Sequence, residues 1–271
     1  MSLQTPWLTV VTVVKDDVDG LARTAASLVA QAEAGDWEWL VIDSSSDDQS
    51  VTELIAHTSL PTPSTARCEW REPRGVYAAM NEALNIATGT FVLFLNAGDW
   101  LIDEDVLHRV HAIITETEPS WLFGPVDIIQ VDGQRVRTPA WSIDAERRAC
   151  FARGHFPPHQ GTLARRLDLI AAGGFDPAYP IAADYAMFLS LINHADPIQV
   201  AFPIAVFVEG GLSTQRWRDS FREFHRARRA ILAPRGFTAL RERAETVRHY
   251  AAVSAYRTLR SMRPRDRRDD R

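Results

Sequence analysis

A chain of 271 residues, 46% of them hydrophobic, is long enough to bury one large core, or one such core with an appendage. Two cysteines, Cys68 and Cys150, exclude a disulfide framework, and apolar runs such as residues 10–14 and 91–95 fall far short of the roughly 20 residues that span a bilayer. The net charge of −5 hides an asymmetry: from residue 216 onward 17 Arg face 7 acidic residues, a balance of +10, while the preceding 215 residues carry −15.

In chain order, residues 8–14 predict a first strand. Val18, Leu21, Ala25, Leu28 and Val29 recur at helical spacing after Asp16 and Asp17, which stand where a helix cap belongs. Residues 37–42 predict a second strand that delivers Asp43 and the turn Ser44-Ser45-Ser46. Val51, Leu54 and Ile55 mark a second helix, with Asp47 and Asp48 as cap candidates, and residues 68–70 a short strand. Val76, Met80, Ala83, Leu84 and Ala87 form a helical stripe that Thr88-Gly89 stops. Residues 91–95 are a continuous apolar run, the pattern of a strand covered on both faces, and they deliver Asn96-Ala97-Gly98-Asp99 at their carboxyl end. Strands separated by helices imply a parallel sheet, and ligands bind at that carboxyl edge. Beyond it, residues 106–114 predict a helix and residues 122–130 with 135–138, around Asp132-Gly133, a hairpin; helices resume after Asp184.

The tail predicts two amphipathic helices. Trp217, Phe221, Phe224 and Ile231 form one stripe; Leu240, Ala244, Val247, Ala251, Ala255 and Leu259 form another, each with arginines opposite. Two uses stand open for them: packing on the body or on a second subunit, and contact with an anionic membrane surface. Residues 263–271 are expected to be disordered. No signal-peptide pattern precedes Trp7, so the expected setting is cytoplasmic, peripheral to the inner membrane face if the tail binds lipid, and no nucleic-acid partner is expected.

Five segments in order carry a family resemblance. They are Val41-Ile42-Asp43-Ser44-Ser45-Ser46, Gly75 to Asn81 (GVYAAMN), Leu95 to Asp99 (LNAGD), His159-Gln160, and Gly173-Gly174-Phe175-Asp176 with Asp184-Tyr185. Together they resemble the inverting family 2 glycosyltransferases with a GT-A fold, of the small bacterial type that builds surface polysaccharides and glycolipids. The resemblance covers about residues 7–213. It implies a mostly parallel α/β sheet flanked by helices over residues 1–213, with a helical extension at 214–262. It also implies metal-assisted transfer of one sugar from a UDP, dTDP or GDP donor to a glycan or lipid-linked acceptor.

The resemblance gives residues their roles. Val13 and Lys15 would wall the base and diphosphate pocket, and Asp43 would accept from the imide of uracil or thymine or from the guanine edge; the residue alone also allows Asp43 to cap the following helix. Asp99 would hold a divalent ion, Mn²⁺ or Mg²⁺, with Asn96 standing where relatives carry a first acid; its other reading is a cap for the helix after residue 102. Arg74, Tyr77 and Asn81 would face the donor, Arg74 serving a phosphate. His159 would meet the metal, diphosphate or acceptor. Asp184 would be the base that takes the acceptor proton, against the simpler reading of a helix cap.

Other classes fit less well. A sugar-1-phosphate nucleotidyltransferase needs a Gly-rich, Arg-containing loop after strand one, where this chain has Val14-Lys15-Asp16-Asp17, and a NAD enzyme needs G-x-G-x-x-G. Gln215-Arg216-Trp217 has the wrong spacing for a processive synthase. A non-catalytic carbohydrate- or nucleotide-binding protein on the same fold is the alternative, since Ala78 and Asn96 stand at positions where relatives carry acids.

Overall fold

The computed structural model describes residues 5–47, 49–138, 156–211 and 216–261. Asp48, Cys150, Gln215 and residues 263–271, which the sequence reading singled out, lie outside the described residues, as does the proposed boundary at 213/214.

The first half alternates as expected: β1 (Leu8–Val14), α1 (Val18–Val29), β2 (Trp37–Asp43), α2 (Gln49–His57), β3 (Thr65–Trp70), α3 (Val76–Ile86) and β4 (Phe91–Phe94). Asp17 starts α1 by accepting from Gly20 N at 2.9 Å. All four strands are parallel, and Leu8 stands opposite both Trp37 and Phe91. Every residue of β2 is buried, as a strand with helices on both faces requires. Alternation then splits the core into two layers. Val10, Trp39 and Leu93 pack toward α1, α2 and the later helix Val106–Thr117, while Val11, Ile42 and Phe94 pack toward α3 and the helices of the second half.

The second half comprises β5 (Trp100–Leu101), α4 (Val106–Thr117), β6 (Trp121–Phe123), β7 (Val126–Ile129), β8 (Arg135–Arg137), a 3₁₀ turn at His159–Gly161, and β9 (Thr162–Arg165). After these come α5 (Arg166–Ala171), α6 (Ala183–His194), β10 (Ile198–Gln199), β11 (Ala205–Val208), α7 (Trp217–Ile231) and α8 (Gly236–Ser261). The large sheet has the order β3-β2-β1-β4-β9-β6-β10, and β9 enters it antiparallel to both β4 and β6. A smaller sheet, β5-β11-β7-β8, stands beside it.

The predicted hairpin is half right. β7 and β8 do pair antiparallel, but the run that precedes the turn is two strands rather than one. Gly124-Pro125 breaks it, sending β6 to the large sheet and β7 to the small one. At Gly124 a Cβ would meet Phe202 O and a Val200 methyl, each at 2.7 Å, so the chain changes sheets where only glycine fits.

Of the two tail helices, α7 packs on the body. Phe224 meets the Tyr185 ring edge-on at 4.7 Å, and Ala227 is fully buried. Arg228, also buried, donates to Glu242 and Thr246 of α8 at 2.8 and 2.7 Å. Thus α8 is held by these polar contacts and by Tyr250, whose ring meets Trp217 and Phe221 of α7, and the apolar stripe through Leu240, Ala244, Val247 and Ala251 points to solvent.

Candidate active site

From β1 the chain runs outward through β2 and β3 on one side and then returns to place β4 on the other side of β1, so a crevice opens at the carboxyl ends where the strand order reverses. Two cavities of about 350 and about 490 Å³ occupy it and share Val76 and Asn96 as lining, which makes them halves of one cleft.

The first half is walled by Val13, Val14, Lys15, Ser44, Pro73 and Gly75, at the ends of β1 and β2 and the start of α3. Val13 and Lys15, expected as walls of a nucleotide pocket, both line this half of the cleft. Asp43 lies below the wall and is fully buried. Its Oδ1 accepts from Ser45 N at 2.8 Å, folding the Ser-rich turn over it, while Oδ2 has no hydrogen-bond partner. A buried carboxylate oxygen without a donor is costly and calls for a partner from outside the chain. Arg74 is on the rim, with its guanidinium in solvent beside Glu72 at 3.0 Å.

Asn81 is not in the cleft. Its amide donates to Phe175 O at 2.7 Å and accepts from Phe175 N at 2.8 Å. This clamp fixes the Gly173-Gly174 turn, where Gly174 sits at φ +62° and a Cβ would lie 2.6 Å from the Asn81 oxygen. Asn81→Ala leaves both Phe175 backbone groups unpaired beneath a buried ring, an expected loss of about 1–3 kcal/mol of stability, to be read from chemical denaturation.

The second half of the cleft gathers Tyr77, Asn96, Asp99, His159, Gln160 and Asp184. Asp184 is in the first turn of α6, but the N-cap is Ala182, so the capping reading fails. Its Oδ1 accepts from Tyr185 N at 2.8 Å and from the Tyr77 hydroxyl at 3.2 Å. Tyr77 shares that proton with Ile181 O at 2.9 Å and stacks its ring on Phe175. Burial and the Asp184 charge push the phenol well above its usual range, which keeps it a donor.

Opposite stand the Asn96-to-Asp99 turn and His159. The Asn96 amide nitrogen lies 3.3 Å from His159 Nε2, and His159 Nδ1 lies 3.6 Å from Asp184 Oδ2. Because the amide can only donate, Nε2 accepts and the ring proton sits on Nδ1, directed at Asp184. Both ring nitrogens are thus turned to side chains, and neither presents a lone pair to the open cleft.

Asp99 is buried, and Gln160 donates to its Oδ2 at 3.1 Å. It does not cap α4, which starts at Val106 behind Asp105. Burial raises its carboxyl to about 6, against the opposing pull of His159 and the Gln160 hydrogen bond. Asn96 Oδ1 beside it is buried and unpartnered. One carboxylate and one orphaned amide oxygen are the hard donors that Mg²⁺ or Mn²⁺ takes, so the residues fit a divalent ion whose coordination a diphosphate and water complete. Among the described residues no group of three or more acids, histidines or cysteines forms an all-protein metal cage.

Sequence reasoning missed Gln160 as the partner of Asp99, the apolar walls Phe156, Phe207 and Phe224, and Glu223 behind α6. Phe224 and Glu223 belong to a helix the sequence reading set outside the catalytic body. The one signal available was an acid bordering an otherwise apolar and basic face.

The chain matches the model of the family described as Glycosyl transferase family 2 over residues 9–168. It is 29% identical over 214 residues to a protein named an uncharacterized glycosyltransferase of Mycobacterium tuberculosis, covering 78% of each chain. It is 33% identical over 186 residues to the PGL/p-HBAD biosynthesis glycosyltransferase of Mycobacterium bovis, covering 68% of this chain and 66% of that one. Among solved structures it resembles S. aureus TarS 1–349 in complex with UDP-GlcNAc, at TM-score 0.67 and 16% identity, over 88% of this chain and 70% of that one. It also resembles the mannosyltransferase PcManGT of Pyrobaculum calidifontis in complex with GDP-Man and Mn²⁺, at TM-score 0.61 and 16% identity, over 93% and 76%. A family match over more than half the length, on a sheet with this order and this cleft, makes the chain a glycosyltransferase of family 2 with a GT-A-like fold.

Proposed function

We propose that this enzyme transfers one sugar, with inversion at the anomeric carbon, from a nucleoside-diphosphate donor to a glycan or lipid-linked acceptor. The observation that carries the reading is Asp184, a carboxylate oriented by Tyr77 and faced by His159 across the cleft from Asn96 and Asp99. The nucleotide takes the half walled by Val13 and Lys15, and the unpartnered Asp43 oxygen meets a base N–H once the turn above it adjusts. Arg74 swings from the rim to a phosphate. Asp99 and Asn96 would hold a divalent ion beside the diphosphate, and the chemistry such an ion would supply there is compensation of the charge growing on the leaving group. Asp184 takes the acceptor hydroxyl proton while His159, its own proton aimed at the same carboxylate, stabilises the charge there. His159 contributes as a neighbour of both carboxylates rather than as the ligand first expected, because its nitrogens are already engaged.

The UDP-GlcNAc and GDP-Man complexes of the structural neighbours support a nucleotide-sugar donor, and the Mn²⁺ of the second supports the ion. The PGL/p-HBAD relatives support a glycolipid acceptor. A thermal-shift panel of UDP-, dTDP- and GDP-sugars, each read against Mn²⁺ alone, identifies the nucleotide base, since only a nucleotide that binds raises the melting temperature beyond that of the metal control. Stabilisation by none of them rejects the donor reading.

A lipid-linked acceptor also suits the outer face of α8. Phe237, Leu240 and Val247 are 80%, 63% and 68% exposed, with Arg241 and Arg243 exposed beside them. No helix among the described residues is long and apolar enough to cross a membrane, so contact would be peripheral, on the cytoplasmic side. The full chain is expected to sediment with vesicles rich in phosphatidylglycerol, less so in raised salt, and not when Leu240 and Val247 are both replaced by Asp. Concentration-dependent self-association without vesicle binding would instead assign this face to a homodimer.

A further inference from the structure

The base depends on a residue from the other end of the chain. Ala182, the N-cap of α6, has no side-chain oxygen to offer the helix's first donors. Glu223 of α7 holds the chain just ahead of them: its Oε2 accepts from Ile181 N and Ala182 N, the two amides that lead into α6, both at 2.9 Å. A carboxylate is the strongest acceptor a side chain can bring to a helix N-terminus, satisfying two amides and complementing the dipole. Glu223 is buried, and packing on either side sets its position. Phe224 lies against Tyr185, and Arg228 reaches the Tyr185 hydroxyl at 3.4 Å.

The hydrogen bonds continue from there to the chemistry. Residue 181, whose N–H Glu223 holds, offers its carbonyl to the Tyr77 hydroxyl, and that hydroxyl also reaches Asp184. Phe224, the next residue of α7, lines the cleft itself.

We propose that Glu223 is a positioning residue for sugar transfer: by fixing residues 181 and 182 it sets the height and direction of Tyr77 and Asp184, which makes α7 part of the active site. The inference rests on the reading of Asp184 as the base. Replacing Glu223 by Ala frees two amides at the start of α6 and loosens the carbonyl that anchors Tyr77. A base displaced by a fraction of an ångström loses rate while the nucleotide half of the cleft, on β1 and β2, is untouched.

The test uses the full chain with Mn²⁺ and either UDP-N-acetylglucosamine or GDP-mannose, reading nucleotide release with water as acceptor, well below the melting transition. Glu223→Ala is expected to lower kcat about 10- to 100-fold with donor KM within about twofold. Glu223→Gln, which keeps an oxygen on both amides, is expected to recover most of the rate. In an Asp184→Asn background Glu223→Ala is expected to add little, because it acts through that carboxylate. Equal losses in both backgrounds, or a Glu223→Ala kcat within about twofold of the parent while Asp184→Asn is inactive, overturn the positioning role and leave the base standing. Should Asp184→Asn stay active, the base reading fails instead, and hydrogen exchange decides the positioning alone. Amides 181–185 are expected to exchange faster in Glu223→Ala, and unchanged exchange there overturns the inference.

Discussion

Asp184→Asn is expected to lower turnover by about 10²–10⁴-fold while donor affinity and melting temperature stay near those of the parent. The asparagine oxygen can still accept from Tyr185 N and the Tyr77 hydroxyl, which in the parent lie at 2.8 and 3.2 Å, so the local fold keeps its contacts. What it loses is the capacity to take a proton. A structural role would give the reverse pattern, a loss of roughly 1 kcal/mol in stability with chemistry largely intact. Measuring nucleotide release, donor binding and melting on this one variant separates the two. A near-normal rate would remove Asp184 as the base.

Asp99→Asn is expected to abolish metal-dependent donor binding and turnover and, at the same time, to stabilise the metal-free protein at neutral pH. Burial raises the Asp99 carboxyl from 3.8 to about 6, so the folded chain holds this proton more tightly than the unfolded chain does. Its contribution to stability is therefore fully present below the unfolded value and is lost as pH rises through about 6. A shift of this size corresponds to about 3 kcal/mol, and asparagine, uncharged at every pH, avoids that loss while still accepting from Gln160. The melting temperature of the variant should exceed the parent's near pH 8 and converge with it below about pH 4. Mn²⁺ should raise the parent's melting temperature and leave the variant's unmoved. Equal Mn²⁺-dependent donor affinity in the two proteins would remove Asp99 from the metal site.

Much of the catalytic half was legible because its signals are local. The mostly apolar runs of β1 and β2, the wholly apolar run of β4, the helical stripe of α3 and the stop at Thr88-Gly89 each specify an element within a dozen residues, and parallel strands so connected leave one crevice. The expectation that Val13, Lys15, Tyr77, Asn96, Asp99, His159 and Asp184 serve one cleft comes instead from the resemblance carried by the five segments. Other assignments needed the third dimension. Nothing in the spacing of Tyr77 and Asn81 tells that one turns to Asp184 and the other to the backbone of Phe175, since both share a helix face and only Phe175, 94 residues away behind the Gly173-Gly174 turn, takes the amide. Strand β9 is four residues long and antiparallel in a sheet otherwise read as parallel, a pairing that β4 and β6 select and that no periodicity announces.

The tail shows the same division. Its two amphipathic helices are written in the sequence, because period and charge are properties of the chain alone. Which faces are buried is decided by partners. The apolar face of α7 finds Phe156 and Tyr185, while α8 is fastened through Arg228, Glu242 and Thr246, leaving its own apolar stripe outward. The Arg228–Glu242 pair and the contacts of Tyr250 with Trp217 and Phe221 both lie on the side of α8 that meets α7, so they and not the stripe set the orientation of α8. For the same reason an acid at position 223, unremarkable in sequence, becomes the acceptor at the head of the helix that carries Asp184.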